Sequence, residues 1–155
     1  MKLGEAKKIS DQLVERFKPY CKKIEVAGSI RRRCHWVNDI DIVMVPWDAT
    51  GIQNLVLRLG RRRLMGSKLI RFDYDSIQVD LYLTDEKSWA TLLLIRTGSK
   101  KNNIRLCSLA RRRGWHLAAG GRGLFNERGE RIAGDSERSI YEALELEYQE
   151  PWERR

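Results

Sequence analysis

The spacing of apolar residues along the chain predicts a protein that mixes helices and strands. Apolar residues recur every three or four positions over residues 3–17, as on the buried face of a helix. Residues 76–83 alternate between apolar and polar, which is typical of a half-buried strand. The same reasoning predicts helices near 52–59, 89–95, 100–113 and 137–144, and strands near 24–27, 39–45, 68–74, 115–117, 123–125 and 130–132. The predicted fold class is α+β, with a seam between two closely packed subdomains near residues 96–98.

One predicted strand carries two acidic side chains on the same face. Successive strand residues point to opposite faces, so Asp39 and Asp41 lie side by side while the apolar residues between them face the core. A hard divalent cation would remove the repulsion between the two carboxylates, and carboxylate oxygens are ligands that Mg²⁺ prefers. An Asp-x-Asp pair also occurs in sugar transferases and on ordinary surface strands, and those alternatives stay open at this point.

A possible phosphate-binding segment precedes this strand. Gly28 and Ser29 form a predicted turn that offers backbone N–H groups and a hydroxyl, and Arg31 and Arg32 add fixed positive charge. A cation site and a phosphate site on one short segment suggest metal-assisted transfer of a nucleotide. Asp80, in the strand at 76–83, is a third candidate ligand, because a carboxylate between apolar neighbours needs a partner.

Charge and composition favour a polyanionic partner. The chain has 155 residues, a net charge of +9 and a pI near 9.7. Residues 87–126 contain no Asp or Glu and nine Lys and Arg. These features favour nucleic acid over membrane. Three basic residues of the predicted helix at 100–113 are candidates for DNA contact: Lys101, Arg105 and Arg112.

Other features bear on location and on the cysteines. The absence of a long apolar run or an apolar leader leads us to expect a soluble intracellular protein. Cys21, Cys34 and Cys107 lack metal-type spacing, and we expect reduced thiols. The Arg61–Arg63 triplet is interpreted either as a solvated helix end or as a nucleic-acid contact.

Several motifs together resemble family X DNA polymerases, in the nucleotidyltransferase superfamily typified by DNA polymerase beta. These motifs are Gly28-Ser29-x-Arg31-Arg32 followed by Asp39-x-Asp41, Val79-Asp80-Leu81, Thr97-Gly98-Ser99 with Asn103, and the tail Glu147 to Arg154. The resemblance implies a palm with a mixed β-sheet and flanking helices at 1–96, and a small α/β thumb at 97–155. With about 27 residues before the Gly-Ser turn, we expect the minimal palm-plus-thumb layout, similar to the small polymerase X of African swine fever virus, without a lyase or helix-hairpin-helix domain.

The resemblance also implies the roles of the acidic residues. Asp39 and Asp41 would hold two Mg²⁺ ions, for which Mn²⁺ could substitute. Asp80 would hold the ion that activates the primer 3′-hydroxyl.

The remaining implied roles concern the nucleotide. Ser29 and Arg32 would bind its β- and γ-phosphates, with Arg31 a weaker candidate. Gly98 and Ser99, joined by a cis peptide in many relatives, would lie under the sugar, and Asn103 would reach the base edge. Gly28 and Asn38 complete the implied nucleotide-binding set.

The chain departs from the family just before Thr97. Ile95 and Arg96 stand where the family usually has an aromatic pair that helps exclude ribonucleotides, so we expect relaxed sugar selectivity. Arg96 could instead pair with an acidic neighbour. We expect Trp36 to pack on the palm rather than stack on a base.

These interpretations converge on a template-directed DNA polymerase that adds nucleotides to a primer, as in short-gap repair. Its expected partners are primer-template or gapped DNA and a nucleoside triphosphate, and we expect a monomer that binds no membrane. The alternatives are a template-independent or RNA-directed nucleotidyltransferase, and a non-catalytic nucleic-acid-binding module.

Overall fold

The computed structural model describes all 155 residues and contains two β-sheets with helices packed on them. The six helices are α1 (Leu3–Phe17), α2 (Gly28–Arg31), α3 (Ala49–Leu59), α4 (Trp89–Thr97), α5 (Lys100–Arg112) and α6 (Glu137–Ala143). The eight strands are β1 (Cys21–Val26), β2 (Asp39–Pro46), β3 (Arg61–Met65), β4 (Leu69–Tyr74), β5 (Ile77–Leu83), β6 (His116–Ala118), β7 (Gly123–Phe125) and β8 (Arg131–Ala133). Short 3₁₀ turns occupy Lys18–Tyr20 and Pro151–Glu153. The predicted α+β class is confirmed.

The larger sheet is mixed, with the strand order β1-β2-β5-β4-β3. Strands β2 and β5 run parallel, and the other neighbouring pairs are antiparallel. Asp41 of β2 lies directly opposite Asp80 of β5. Since residues paired across strands share a face, this register puts the acidic residues of both strands on one side of the sheet.

The two faces of the larger sheet have different coverings. On one face, apolar side chains such as Ile40 and Leu81 pack beneath α1 and α3, and the rings of Phe17 and Phe72 meet edge to face at 6.3 Å. On the other face, α4 covers the β1–β2 side through Leu92 and Leu93. The remainder of that face carries the acidic residues and stays open.

The smaller sheet has the order β6-β7-β8 and packs with α5 and α6. Its core includes Leu106, Leu124 and Ile140 together with Leu94 of α4. Helix α4 therefore contributes to the cores of both units, and it ends at Gly98, beside the predicted seam. No helix has the length and apolar character that a membrane crossing requires.

The predicted elements agree with the structure to within a few residues, with two exceptions. Gly28 and Ser29, predicted to form a turn, begin the short helix α2. Residues 61–65 form the edge strand β3 and not a helix end, because α3 ends at Leu59. The three cysteines are free thiols, as expected.

Candidate functional site

An open cavity of about 500 Å³ lies between the acidic face of the larger sheet and the start of α5. It brings together ten of the predicted site residues, which come from four separate parts of the chain. They are Gly28, Ser29, Arg32, Asn38, Asp39, Asp41, Ile95, Arg96, Gly98 and Asn103. Arg31, Ser99 and Asp80 do not line this cavity.

Gly28 allows the backbone to pass directly beside the carboxylate of Asp41. Its φ of +61° is a left-handed conformation that favours glycine, and a Cβ atom there would overlap the Asp41 side chain. The Ala27 N–H donates to the Asp41 carbonyl oxygen at 2.8 Å, which fixes the start of α2 against β2. The glycine of the predicted phosphate segment therefore permits contact with the predicted metal segment.

The three acidic residues share one face of the sheet, and two of them contact a tyrosine. The Tyr82 hydroxyl lies 3.5 Å from Asp41 Oδ1 and 3.4 Å from Asp80 Oδ2, so it can donate to either carboxylate. Because one hydroxyl touches both side chains, Asp41 and Asp80 are near neighbours. Tyr82 also lines the cavity, and it was not predicted, although it lies two residues after Asp80 on the same strand face.

Asp80 is held by an arginine. Arg71 of β4 donates from Nε to Asp80 Oδ1 at 2.7 Å and from Nη2 to Oδ2 at 3.0 Å. Asp80 is 3% exposed, and no three Asp, Glu, His or Cys side chains are grouped closely enough to hold one metal ion. The predicted cluster of three carboxylates is therefore not assembled as a ready metal site, although its members share the same face.

Asp39 and Asp41 carry negative charge that the protein leaves largely uncompensated. Burial, followed by repulsion from Asp39 and then Asp80, raises the pKa of Asp41 to about 7. Burial and repulsion from Asp80 also raise the pKa of Asp39. Hard oxygen donors with unfavourable mutual repulsion suit a divalent cation such as Mg²⁺. The donor set therefore fits the metal that the resemblance implies.

The two arginines of the phosphate segment have different surroundings. Arg32 lines the cavity while its Nη1 donates to the Thr97 carbonyl oxygen at 2.6 Å. Arg31 instead donates to Thr97 Oγ1 at 2.9 Å and to both carboxylate oxygens of Glu137, at 2.8 and 2.6 Å. Arg32 is placed to meet an anion in the cavity, whereas Arg31 joins the two units of the fold.

The segment before α5 forms the far wall of the cavity. The Gly98–Ser99 peptide is cis, as the resemblance implied. Ser99 caps α5 by accepting a hydrogen bond from the Asn102 N–H at 3.1 Å, and it faces a neighbouring cavity. Asn103 donates from Nδ2 to the Ile95 carbonyl oxygen at 2.8 Å, and its buried Oδ1 has no hydrogen-bond partner. This Oδ1 atom is the buried acceptor that the fold leaves unsatisfied beside the cavity.

Three further residues line the cavity without having been assigned to the site. They are Cys34, Trp36 and Lys100. Trp36 is 59% exposed, so the expectation that it packs on the sheet was wrong. The Arg96 guanidinium lies 4.3 Å from the Tyr82 ring centroid, and its charge lowers the pKa of Asp41 against the larger effect of burial. Arg96 forms no ion pair with an acidic side chain, so the alternative that it pairs with an acidic neighbour was wrong, and its contact is with the Tyr82 ring.

The three residues predicted to contact DNA are exposed on α5. Arg105 donates from Nη1 to Gln149 Oε1 at 3.0 Å, while Lys101 and Arg112 make no hydrogen bond or ion pair. Basic residues in such positions are available to a phosphate backbone.

Comparisons with known proteins agree on one family. The family model for the DNA polymerase beta thumb matches residues 92–155. The chain is 28% identical over 148 residues to the DNA polymerase/3′-5′ exonuclease PolX of Bacillus subtilis (strain 168), covering 90% of this chain and 26% of that protein. The chain therefore spans about a quarter of the length of this curated relative.

Solved structures share the fold over the whole chain. The ternary primer-template complex of Leishmania infantum polymerase beta superposes with a TM-score of 0.84 at 21% identity, covering 100% of this chain and 76% of the other. The ternary gap complex of the same polymerase gives a TM-score of 0.84 at 18% identity, covering 99% and 70%.

Proposed function

We propose that this chain belongs to family X of the DNA polymerases, as the thumb model and the PolX relative support, and that it catalyses template-directed addition of nucleotides to a primer 3′-hydroxyl. The proposal includes a catalytic palm at 1–96, a thumb at 97–155 and a role in filling short gaps during repair. The observation that carries it is the parallel pairing of Asp41 with Asp80 beside a cavity that also holds Ser29 and Arg32.

The residues of the cavity divide into two groups with complementary charge. Ser29 and Arg32 would bind the phosphates of the incoming nucleotide, since a guanidinium suits phosphate oxygens. Asp39, Asp41 and Asp80 would hold two Mg²⁺ ions, which when bound supply charge stabilisation to the attacking and leaving oxygens. Phosphoryl transfer needs positioning and electrostatic stabilisation more than covalent help from the protein.

The far wall of the cavity would position the nucleotide. The Gly98 backbone forms a surface without a side chain on which a sugar could lie, and Asn103 Oδ1 offers an unsatisfied acceptor. Ile95 and Arg96 border the same space, and neither presents an aromatic ring against the 2′ position of a sugar. We propose that ribonucleotides are accepted more readily than by relatives with aromatic residues there.

Primer extension tests the proposal directly. Purified protein is incubated with Mg²⁺ or Mn²⁺, gapped and recessed DNA, and each dNTP and rNTP in turn, with Asp80→Ala as the control. We expect incorporation that follows the template base and disappears in Asp80→Ala. Incorporation that ignores the template base would favour a template-independent transferase.

A non-catalytic DNA-binding role is the second candidate, because Arg71 occupies both oxygens of Asp80 in this structure. It would be supported by DNA binding without turnover on any substrate, together with unchanged binding in Asp41→Asn and Asp80→Ala.

DNA affinity is expected to depend strongly on salt under either role. Lys101, Arg105 and Arg112 lie on one exposed helix, and each phosphate contact releases counterions. Replacing Lys101 or Arg112 by Ala should reduce the slope of log K against log salt by about one unit each. Fluorescence anisotropy between 50 and 200 mM salt, roughly the range over which such slopes are steep, would measure it, and an unchanged slope would exclude these contacts.

A further inference from the structure

The pairing of Arg71 with Asp80 is set by the sheet itself. The two residues lie directly opposite each other on the antiparallel strands β4 and β5. The guanidinium uses two of its N–H groups to bind both carboxylate oxygens, at 2.7 and 3.0 Å. Such two-point pairs of Arg and carboxylate have a specific geometry and are among the stronger hydrogen-bonded contacts in proteins.

Arg71 and Asp80 differ in their access to solvent. The Asp80 side chain is 5% exposed, whereas the Arg71 side chain is 38% exposed. Arg71 can therefore rotate away into solvent without disturbing the core, whereas Asp80 cannot follow it. The weaker contacts of Asp80, with Gln78 Nε2 at 3.5 Å and Tyr82 Oη at 3.4 Å, would remain to hold the carboxylate in place.

We propose that Arg71 is a positioning residue that masks Asp80 and is displaced from it by a divalent cation. This inference rests on the proposed function. A guanidinium bound to both oxygens occupies one lone-pair site on each and places a positive charge beside the carboxylate, so Arg71 and a metal ion compete for Asp80. Arg71 also lowers the net negative charge of the site while it is in place, and its release restores the full charge of the three carboxylates.

The competition has a measurable consequence. In the wild-type protein, a cation must displace Arg71 before it binds Asp80, which weakens the apparent affinity for metal. Arg71→Gln keeps a side chain of similar reach without the charge, and it should bind Mn²⁺ about 5- to 10-fold more tightly, as expected for removal of one partly exposed ion pair. Arg71→Lys keeps the charge but loses the two-point geometry, and its affinity should be intermediate.

The experiment measures Mn²⁺ binding by electron paramagnetic resonance, without DNA or nucleotide. Arg63→Gln is the matched control, because Arg63 lies on the adjacent strand β3, pairs with Asp73 at 2.9 Å and does not touch Asp80. It removes the same charge from the same region, so its affinity should stay within about twofold of wild type. In an Asp80→Asn background, Arg71→Gln should give a clearly smaller gain, because the direct competition for Asp80 is gone and only the charge effect of Arg71 on Asp39 remains.

The outcomes separate this inference from the proposed function. Unchanged or weaker Mn²⁺ binding in Arg71→Gln would overturn the inference, as would an equal gain in Arg63→Gln or a gain of undiminished size with Asp80→Asn. If Asp41→Asn leaves Mn²⁺ binding unchanged, both alone and combined with each Arg71 variant, the proposed metal-dependent function would itself fail. Circular dichroism of each variant establishes whether it folds. If Arg71→Gln does not fold, the comparison of Arg71→Lys with wild type provides the test.

Discussion

The molecule contains two partly buried acidic sites that differ in the charge of their neighbours: one lies among carboxylates and the other among arginines. Asp41 lies among other carboxylates, and burial together with those neighbours raises its pKa to about 7. Burial also opposes ionisation of Glu137, but hydrogen bonds and charge from Arg31 and Arg154 hold its pKa below the ordinary value. Burial acts in the same direction at both sites, so the partners decide the outcome.

The difference separates a position to which the proposed function assigns a role from a structural one. Glu137 of α6 accepts hydrogen bonds from Arg31 of α2 and from Arg154 of the tail, whose distances are 2.6 and 2.7 Å at the closest. The Arg154 side chain is fully buried, so this cluster ties the two units and the tail together. The fold satisfies Glu137 internally, whereas the repulsion that Asp39 and Asp41 experience is not compensated within the protein.

The largest expected effect is on the rate of primer extension, when Asp41 is changed. Asp41→Asn should lower the rate of primer extension by about 10³- to 10⁵-fold, because a metal ligand supplies several kcal/mol of charge stabilisation. It should not lower the free energy of unfolding at pH 8, since it removes repulsion between carboxylates. Single-turnover extension and urea denaturation measure the two effects, and a rate within tenfold of wild type would contradict the assignment.

The next largest effect is on the free energy of unfolding, when Glu137 is changed. Glu137→Ala should lower the free energy of unfolding by about 3–5 kcal/mol, because it leaves Arg154 buried without a counter-charge. Glu145→Ala is the control, since Glu145 is 83% exposed and pairs with Arg113 at 3.4 Å; it should cost less than about 1 kcal/mol. Equal losses for the two variants, measured by urea denaturation, would refute the distinction.

A smaller effect is the pH dependence of stability. The folded pKa of Asp41, about 7, lies above the value near 3.9 that an unfolded chain gives, so the folded state binds more protons between these limits. The free energy of unfolding without metal should therefore fall by about 2–4 kcal/mol as pH rises from 4 to 7. Glu137 contributes with the opposite sign, because its lowered pKa adds stability that is lost as pH falls through its folded value.

Two comparisons isolate the contribution of Asp41 to this curve. Asp41→Asn should remove most of the loss between pH 4 and 7, while Mg²⁺ should stabilise the wild-type protein more at pH 8 than at pH 5. Thermal melting at both pH values measures this, and stabilisation by Mg²⁺ that is equal at the two would count against carboxylate ligands.

The smallest expected effect is a change in the pKa of Asp41 when the neighbouring Arg96 is replaced. Arg96→Gln removes a positive charge that lowers the pKa of Asp41, so the pKa of Asp41 should rise further. The corresponding change in stability should be less than about 1 kcal/mol. The midpoint of the metal-free stability curve should move to higher pH in this variant, and a move to lower pH would show that Arg96 acts through packing on Tyr82.

Local patterns predicted most of the fold and part of the site. The period of apolar residues gave α1 at its observed bounds, and the alternation at 76–83 placed Asp80 on the same face as its neighbours Gln78 and Tyr82. The helix-end interpretation of Arg61–Arg63 was wrong, because an exposed edge strand has no apolar alternation that reveals it, while the alternative of a nucleic-acid contact stays a prediction. The strand pairing with β4, and not the propensity of these residues, makes them a strand.

What the sequence alone determined is which residues have chemistry suited to a cation and a phosphate, and which family they indicate. Spacing within a segment fixes the face on which a side chain lies, so Asp39 and Asp41 could be assigned together. Only the tertiary structure decided that Arg71 holds Asp80, that Glu137 holds Arg31 away from the cavity, and that Tyr82 joins two carboxylates. These contacts join residues on different strands or helices, and the packing of the whole chain sets their distances.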